Sequence, residues 1–343
     1  MSMIALTILF LLLAGCILTH SQLSLAYAGM GLELWFRNMI PSLLPFMILS
    51  GIMIRMNLTE KASMILYPII KPIYKVRKNV CYAMLIGFLC GFPMGAKTVA
   101  DLYARQMITK REAEYLLAFC NNIGPVYFCS FVLPLLGRKL VFPYLFGMYG
   151  IPLLYGFCLR RTVYRDLPLP MGKKQPQQNM LLQGKKLSQG QRNISAGLVC
   201  CEDDSGTKPG IQNRSPGILL RLLAESDHAI QSSVQAILSL GGYMILYNLL
   251  NLIPHILLGH PLRLLSPLLE ITGGLKILGA SLPLYSFLAL SFGGLSCIAQ
   301  TYNCIGETDL SIGGYVLHKL VLTALNGIFY LCWFQMSPAS FLR

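Results

Sequence analysis

Long apolar stretches, cut at intervals by glycine, proline and amide residues, set the rhythm of this chain. Apolar runs cover residues 3–18, 31–57, 62–73, 80–95, 126–136 and 140–159, then 227–253, 261–278, 282–301 and 313–334. A helix needs about 20 mostly apolar residues to cross a bilayer, and several runs approach or exceed that length. The others are short or interrupted. Run 31–57 carries Pro41 and Pro45, which invite a kink. Run 62–73 is too short to span and sits between Lys61 and Lys71, the pattern of an interfacial helix. Run 80–95 stops at Gly91-Phe92-Pro93-Met94-Gly95, and a more polar helix over 96–105 follows. Thr109-Lys110-Arg111-Glu112 reads as a capping box that opens the next helix. That helix breaks at Asn121-Asn122-Ile123-Gly124-Pro125.

After residue 159 the pattern disappears. Residues 160–215 are rich in Gln, Lys, Gly, Ser and Asn, without periodicity, and read as a disordered linker. It divides the chain into a first membrane half, 1–159, and a second, 216–343. The second half opens with an amphipathic entry helix over 217–225. Its breaks are expected at Gly241-Gly242, at Glu270-Ile271-Thr272-Gly273-Gly274 and at Phe292-Gly293-Gly294-Leu295-Ser296. The order of the breaks repeats. Leu49-Ser50-Gly51 corresponds to Leu240-Gly241-Gly242, Gly95-Ala96-Lys97 to Gly274-Leu275-Lys276, and the Asn121–Pro125 break to the segment Gly293–Gln300.

Composition strengthens the membrane reading. Of 343 residues, 55% are hydrophobic and 12% charged, against about 25% charged in soluble domains, and the mean hydropathy is +0.58. The net charge of +14 would suggest nucleic acid in a soluble protein. Here residues 159–221 hold 11 Lys and Arg against 4 acidic residues, which places the linker on the cytoplasmic side by the positive-inside rule. No nucleic-acid recognition motif accompanies the charge. The 11 cysteines include no CxxC pair and lie mostly in apolar runs, so no metal site is expected. Ala26-Tyr27-Ala28 resembles a signal-peptidase site, but no Lys or Arg precedes the first apolar run and that run exceeds the usual h-region, which favours a retained helix.

Unpaired backbone groups in hydrocarbon cost several kcal/mol each, so a broken helix at membrane depth must be covered by protein or by a wet cavity. Interrupted segments at corresponding positions of two halves point to a transporter site, where half-helix N-termini suit anionic groups. The candidate solute-binding residues are Gly95, Lys97, Thr98, Asn121, Asn122 and Gly124 in the first half. In the second they are Glu270, Thr272, Gly273, Lys276, Gly294, Ser296 and Gln300. Lys97 and Lys276 would offset a carboxylate, and Glu270 would pair with a lysine or take up a coupling ion. Each has a plainer reading: Lys97 snorkelling beside Asp101 and Arg105, the asparagines capping half-helices, Glu270 in a structural ion pair, Gly241-Gly242 and Gly293-Gly294 as packing faces. Gly91–Thr98 superficially resembles a phosphate-binding loop, but its spacing is one residue short and Ala96 separates Gly95 from Lys97. With no HExxH or GxSxG motif either, no enzyme and no cofactor is expected.

These motifs carry a resemblance. Pro41-Ser42-Leu43-Leu44-Pro45-Phe46, Gly91–Lys97, Thr109–Glu114 and Phe119–Pro125 resemble the YlbJ (SpoVV) family of sporulation integral membrane proteins, as do Glu270–Leu275 and Ser291–Ser296. That family is similar to the nucleoside-recognition, or Gate-domain, proteins and so to concentrative nucleoside transporters. The resemblance implies an all-α polytopic membrane protein of two halves with spanning and half-spanning helices. It also implies a place in the outer forespore membrane of a spore-forming bacterium, and dipicolinic acid, a small planar dicarboxylate, as the solute. A nucleoside carrier and a non-transporting scaffold for cortex or coat assembly are the alternatives. The partners expected are lipid, a small anionic solute, and a second copy or other sporulation membrane proteins.

Overall fold

In the computed structural model the described residues are 3–137, 140–168 and 218–336. The expectation of a disordered linker, with its Cys200-Cys201 pair, therefore falls largely outside them. Among the described residues the secondary structure is helical throughout. Five helices are long and apolar enough to cross a membrane: Ser21–Arg55, Val141–Arg161, Leu222–Leu258, Pro283–Ile305 and Ile312–Met336. We label the elements α1 (Met3–Thr19), α2 (Ser21–Arg55), α3 (Tyr67–Tyr74), α4 (Lys78–Cys90), α5 (Met94–Ala104), α6 (Lys110–Leu117), α7 (Pro125–Leu136) and α8 (Val141–Arg161). The second half comprises α9 (Ile218–Leu249), α10 (Leu252–Leu258), α11 (Ser266–Leu269), α12 (Ile271–Leu278), α13 (Pro283–Phe292), α14 (Gly294–Ile305) and α15 (Ile312–Met336). The exposed Leu154, Leu238, Leu317 and Ile328 on α8, α9 and α15 form the apolar exterior that lipid requires. The chain is a multi-pass integral membrane protein.

The two longest helices, α2 and α9, form the spine. Gly31 lies against Met244 and Ile245, Trp35 against Gly241, Gly51 against Ala229, and Arg55 near Glu225 at 3.7 Å. The numbers of each pair sum to between 275 and 280, so the helices run antiparallel along their whole length. Small residues on the seam let the backbones approach closely.

One expected break is a packing feature instead. Helix α9 runs unbroken through Gly241-Gly242. Gly241 is small because the indole of Trp35 covers it, and an added Cβ would lie 2.6 Å from the ring. Trp35 Nε1 donates to the carbonyl of Ile237 at 2.8 Å, so this tryptophan is an interhelical contact rather than an interfacial anchor. In α2 the irregularity is a π-helical turn over Trp35–Met39, ahead of Pro41 and Pro45. The extra residue in that turn relieves the lost hydrogen bonds without ending the helix.

The capping box at α6 forms as its residues dictate. Glu112 N donates to Thr109 Oγ1 at 3.3 Å, and Thr109 N donates to Glu112 Oε2 at 2.8 Å. Glu112 is buried, and Arg77 Nε meets its other oxygen at 2.8 Å.

Neighbouring glycines should respond oppositely to the same change. Gly241→Ala pushes on the Trp35 ring and should destabilise by about 1–3 kcal/mol. Gly242 has open space around its Cβ position, so Gly242→Ala should be neutral or stabilising by up to about 1 kcal/mol. Thermal unfolding in detergent micelles reads the difference.

Candidate functional site

Four helix breaks meet in two pairs. In the first half, α4 ends at Cys90 and α5 starts at Met94, with Gly91 at φ +76, a conformation glycine adopts without strain. Facing this turn is the non-helical stretch 118–124 between α6 and α7. Phe92 N donates to the carbonyl of Asn122 at 2.8 Å. The two turns touch backbone to backbone: a Cβ at Gly124 would lie 2.5 Å from the Cys90 carbonyl, and one at Gly95 would lie 2.7 Å from that of Cys120. In the second half, Glu270 is extended (φ −139, ψ 120) between α11 and α12, and the opposing break is at Gly293-Gly294. A Cβ on Gly294 would meet the carbonyls of Pro267, Leu268 and Leu269 at 3.0–3.4 Å. In both halves, glycine lets one interrupted backbone approach another.

Glu270 is the N-cap of α12. Its Oε1 accepts from Thr272 N at 3.0 Å, and its Oε2 accepts from Gly273 N at 2.6 Å and from Asn248 Nδ2 at 3.1 Å. All these partners are donors, the surroundings of an ionised carboxylate at the positive end of a helix. The side chain is 1% exposed and has no cation within ion-pair distance among the described residues.

Lys319, 2% exposed on α15, is its counterpart. The ammonium donates to the Asn121 carbonyl at 3.0 Å and to Asn122 Oδ1 at 3.1 Å, and no carboxylate is in ion-pair range among the described residues. Asn121 Nδ2 also donates to Thr301 Oγ1 at 3.0 Å and to Tyr315 at 3.3 Å, while Tyr127 donates to Thr272 Oγ1 at 3.2 Å. These bonds tie the break of the first half to α12, α14 and α15 of the second. Cys297 is close to both Lys319 and Glu270: a Cβ on Gly293 would meet its side chain at 3.4 Å and that of Lys319 at 3.9 Å, and Cys297 and Glu270 line one cavity.

Between the breaks is a cavity of about 30 Å³. Ser42, Phe92, Gly124, Tyr127, Glu270 and Gln300 are among its lining residues. It has room for about one water molecule, whereas small-molecule sites are typically about 300–1,000 Å³. This is a closed arrangement that admits no solute without movement of a wall.

No family model and no solved structure matches the chain. The protein named "Sporulation integral membrane protein YlbJ", from Bacillus subtilis (strain 168), is 26% identical over an alignment covering 93% of this chain and 80% of the relative. The chain is similar to that YlbJ protein over nearly its whole length. An alignment of that extent takes in every break described above. The wider Gate-domain kinship rests on the sequence resemblance alone.

The structure brings most of the candidate residues together. Gly124, Glu270, Thr272 and Gln300 line the cavity. Gly95, Asn121, Asn122, Gly273 and Gly294 form the packed breaks behind it, and Ser296 accepts from Gln300 Nε2 at 2.9 Å. Three residues lie elsewhere. Thr98 is buried 3.5 Å from Ser50 Oγ. Lys97 is 3.3 Å from Asp101 and donates to Ser232 at 3.1 Å, beside a separate cavity of about 200 Å³ that Arg55 and Arg105 share. Lys276 is half-exposed, 3.7 Å from the equally exposed Glu33. Glu270 thus meets backbone and amide donors where the sequence suggested a lysine. Asn248, Tyr127 and Lys319 were not singled out from sequence. Lys319 had a readable signal, as the one Lys, Arg, Asp or Glu in α15.

Removing either buried charge should leave its partners stranded. Lys319→Met deprives Asn121 and Asn122 of a donor, and Glu270→Gln sets an NH2 group against N–H donors. Each should cost about 1–3 kcal/mol, measured by thermal unfolding of the purified protein. Lys276→Met, at an exposed pair, should change stability by less than about 0.5 kcal/mol.

Proposed function

We propose that this chain is a carrier for a small anionic solute, dipicolinic acid or a close dicarboxylate, and that it works by alternating access in the outer forespore membrane with residues 160–215 on the cytoplasmic side. One observation carries the reading. Two pairs of broken helices enclose a small cavity whose mainly apolar lining includes Glu270, Thr272 and Gln300, and a second buried charge, Lys319, holds the break of the first half without pairing to Glu270. Buried charges in membrane segments are costly and mark solute or ion pathways. A purely structural pair would gain most by direct contact.

The similarity to a protein named for sporulation supports the setting, and the sequence resemblance supports the solute. Lys319 is the natural counter-charge for a carboxylate that reaches the Asn121–Asn122 break. Asn121, Asn122, Thr272, Gln300 and the exposed backbone of the breaks supply donors for a second carboxylate. The closed cavity is one state of the cycle. Opening it requires the contacts of Lys319 and Tyr127 across the halves to exchange for contacts to the solute, which is the coupling that a carrier needs. A second copy of the chain or another sporulation membrane protein would complete the assembly.

Uptake of labelled dipicolinate into proteoliposomes tests this. The wild type should accumulate it, Lys319→Gln and Glu270→Gln should lose at least tenfold in initial rate, and Lys97→Ala and Lys276→Ala should stay within about threefold. Uptake of uridine in place of dipicolinate would make the chain a nucleoside carrier. Uptake of neither, by folded and inserted protein, would favour the scaffold.

A further inference from the structure

A second site lies at the membrane surface, away from the helix breaks. Helix α3 ends at Lys75, which has a left-handed backbone (φ 51), and α8 ends at Arg161. Between these ends is a cavity of about 400 Å³ lined by Ile73, Lys75, Arg160, Arg161 and Arg165. Among the described residues no acidic side chain lines it.

The four cations have different duties. Arg160 is buried, and its guanidinium donates to the carbonyls of Tyr74, Lys75, Tyr164, Arg165 and Leu167 at 2.7–3.2 Å, so it holds the cavity wall together. Arg161 lies over the Phe157 ring at 3.4 Å and donates to the Ile73 carbonyl at 3.3 Å. Lys75 and Arg165 have no acidic side chain in ion-pair range among the described residues. Asp166, next in the chain, is turned to Arg111 at 3.3 Å. Converging cations without counter-charges repel one another unless an anion joins them.

The surroundings identify that anion. The cavity sits where the apolar span α8 ends, at the level of lipid headgroups. Ile73 is in its lining, and Ile69, one turn earlier on α3, and Val163, two residues beyond Arg161, are exposed as well. A free phosphate in water has no use for exposed isoleucines beside its site. A phospholipid places its phosphate among the cations and its acyl chains over those isoleucines, as basic pockets between membrane helices do. We infer that this cavity binds the phosphate of an anionic membrane phospholipid and so fixes α3 to the cytoplasmic leaflet. The inference is independent of the transported solute.

Lipid retention by the purified full-length protein, read by native mass spectrometry, tests it. Phosphatidylglycerol should be retained in preference to phosphatidylcholine. Lys75→Gln with Arg165→Gln should reduce that preference by about fivefold per charge removed, and among the described residues neither side chain makes an ion pair that the change would break. Lys110→Gln, which removes a basic residue already paired with Asp309 at 2.8 Å, should leave it unchanged. Equal retention by wild type and double variant overturns the assignment. So does displacement of the lipid by millimolar inorganic phosphate or glycerol phosphate, which would mark a soluble-anion site.

Discussion

Backbone pairing in hydrocarbon is the constraint from which the rest of this structure follows. A continuous helix satisfies its own N–H and C=O groups, and an interrupted one does not. The chain interrupts its helices at Gly91, at 118–124, at Glu270 and at Gly293-Gly294, then sets each break against another. Phe92 donates to Asn122, and the Glu270 carboxylate takes the first N–H groups of α12. Glycine recurs at these points because the crossing backbones leave no space for a Cβ. The long antiparallel helices α2 and α9 support the paired breaks from one side. The buried rings of Tyr144, Phe287 and Tyr330 support them from the other.

The polar groups at the centre follow from the same constraint. Once backbone is exposed at depth, side chains that complete its hydrogen bonds are stabilised there, and charged ones become tolerable. Glu270 and Lys319 each use that opportunity separately, with the Cys297 side chain close to both. The partners of Glu270 all lie in its own half, whereas the bonds of Lys319, Asn121 and Tyr127 cross between the halves and keep them in register.

Much of this was legible in the sequence. Four of the breaks, the capping box at Thr109 and the final spans appear as interruptions or runs in a one-dimensional pattern, since glycine, proline and apolar length act locally. Two kinds of feature were not. Gly241-Gly242 looks like a break, yet its smallness answers to Trp35, some 200 positions away, and local pattern cannot separate a turn from a close approach. The candidate lysines were chosen by nearness to breaks along the chain. Helix rotation then turned Lys97 toward Asp101 and Ser232, and left Lys276 beside Glu33 at the surface. Lys319, distant in sequence from any break, came to the centre through the packing of α15.

The cap on α12 changes how the affinity of the site should be understood. The positive end of that helix is already occupied by a carboxylate that belongs to the protein. If the proposed carrier brings an anion to that helix end, the anion would not fill an empty position; it would compete with a tethered one. Its apparent affinity would then reflect the difference between two similar interactions, in which the common part cancels. Whatever distinguishes one carboxylate-bearing molecule from another must then come from the remainder of its framework, its shape and its second polar group. A position that looks built for charge would in this way select for geometry.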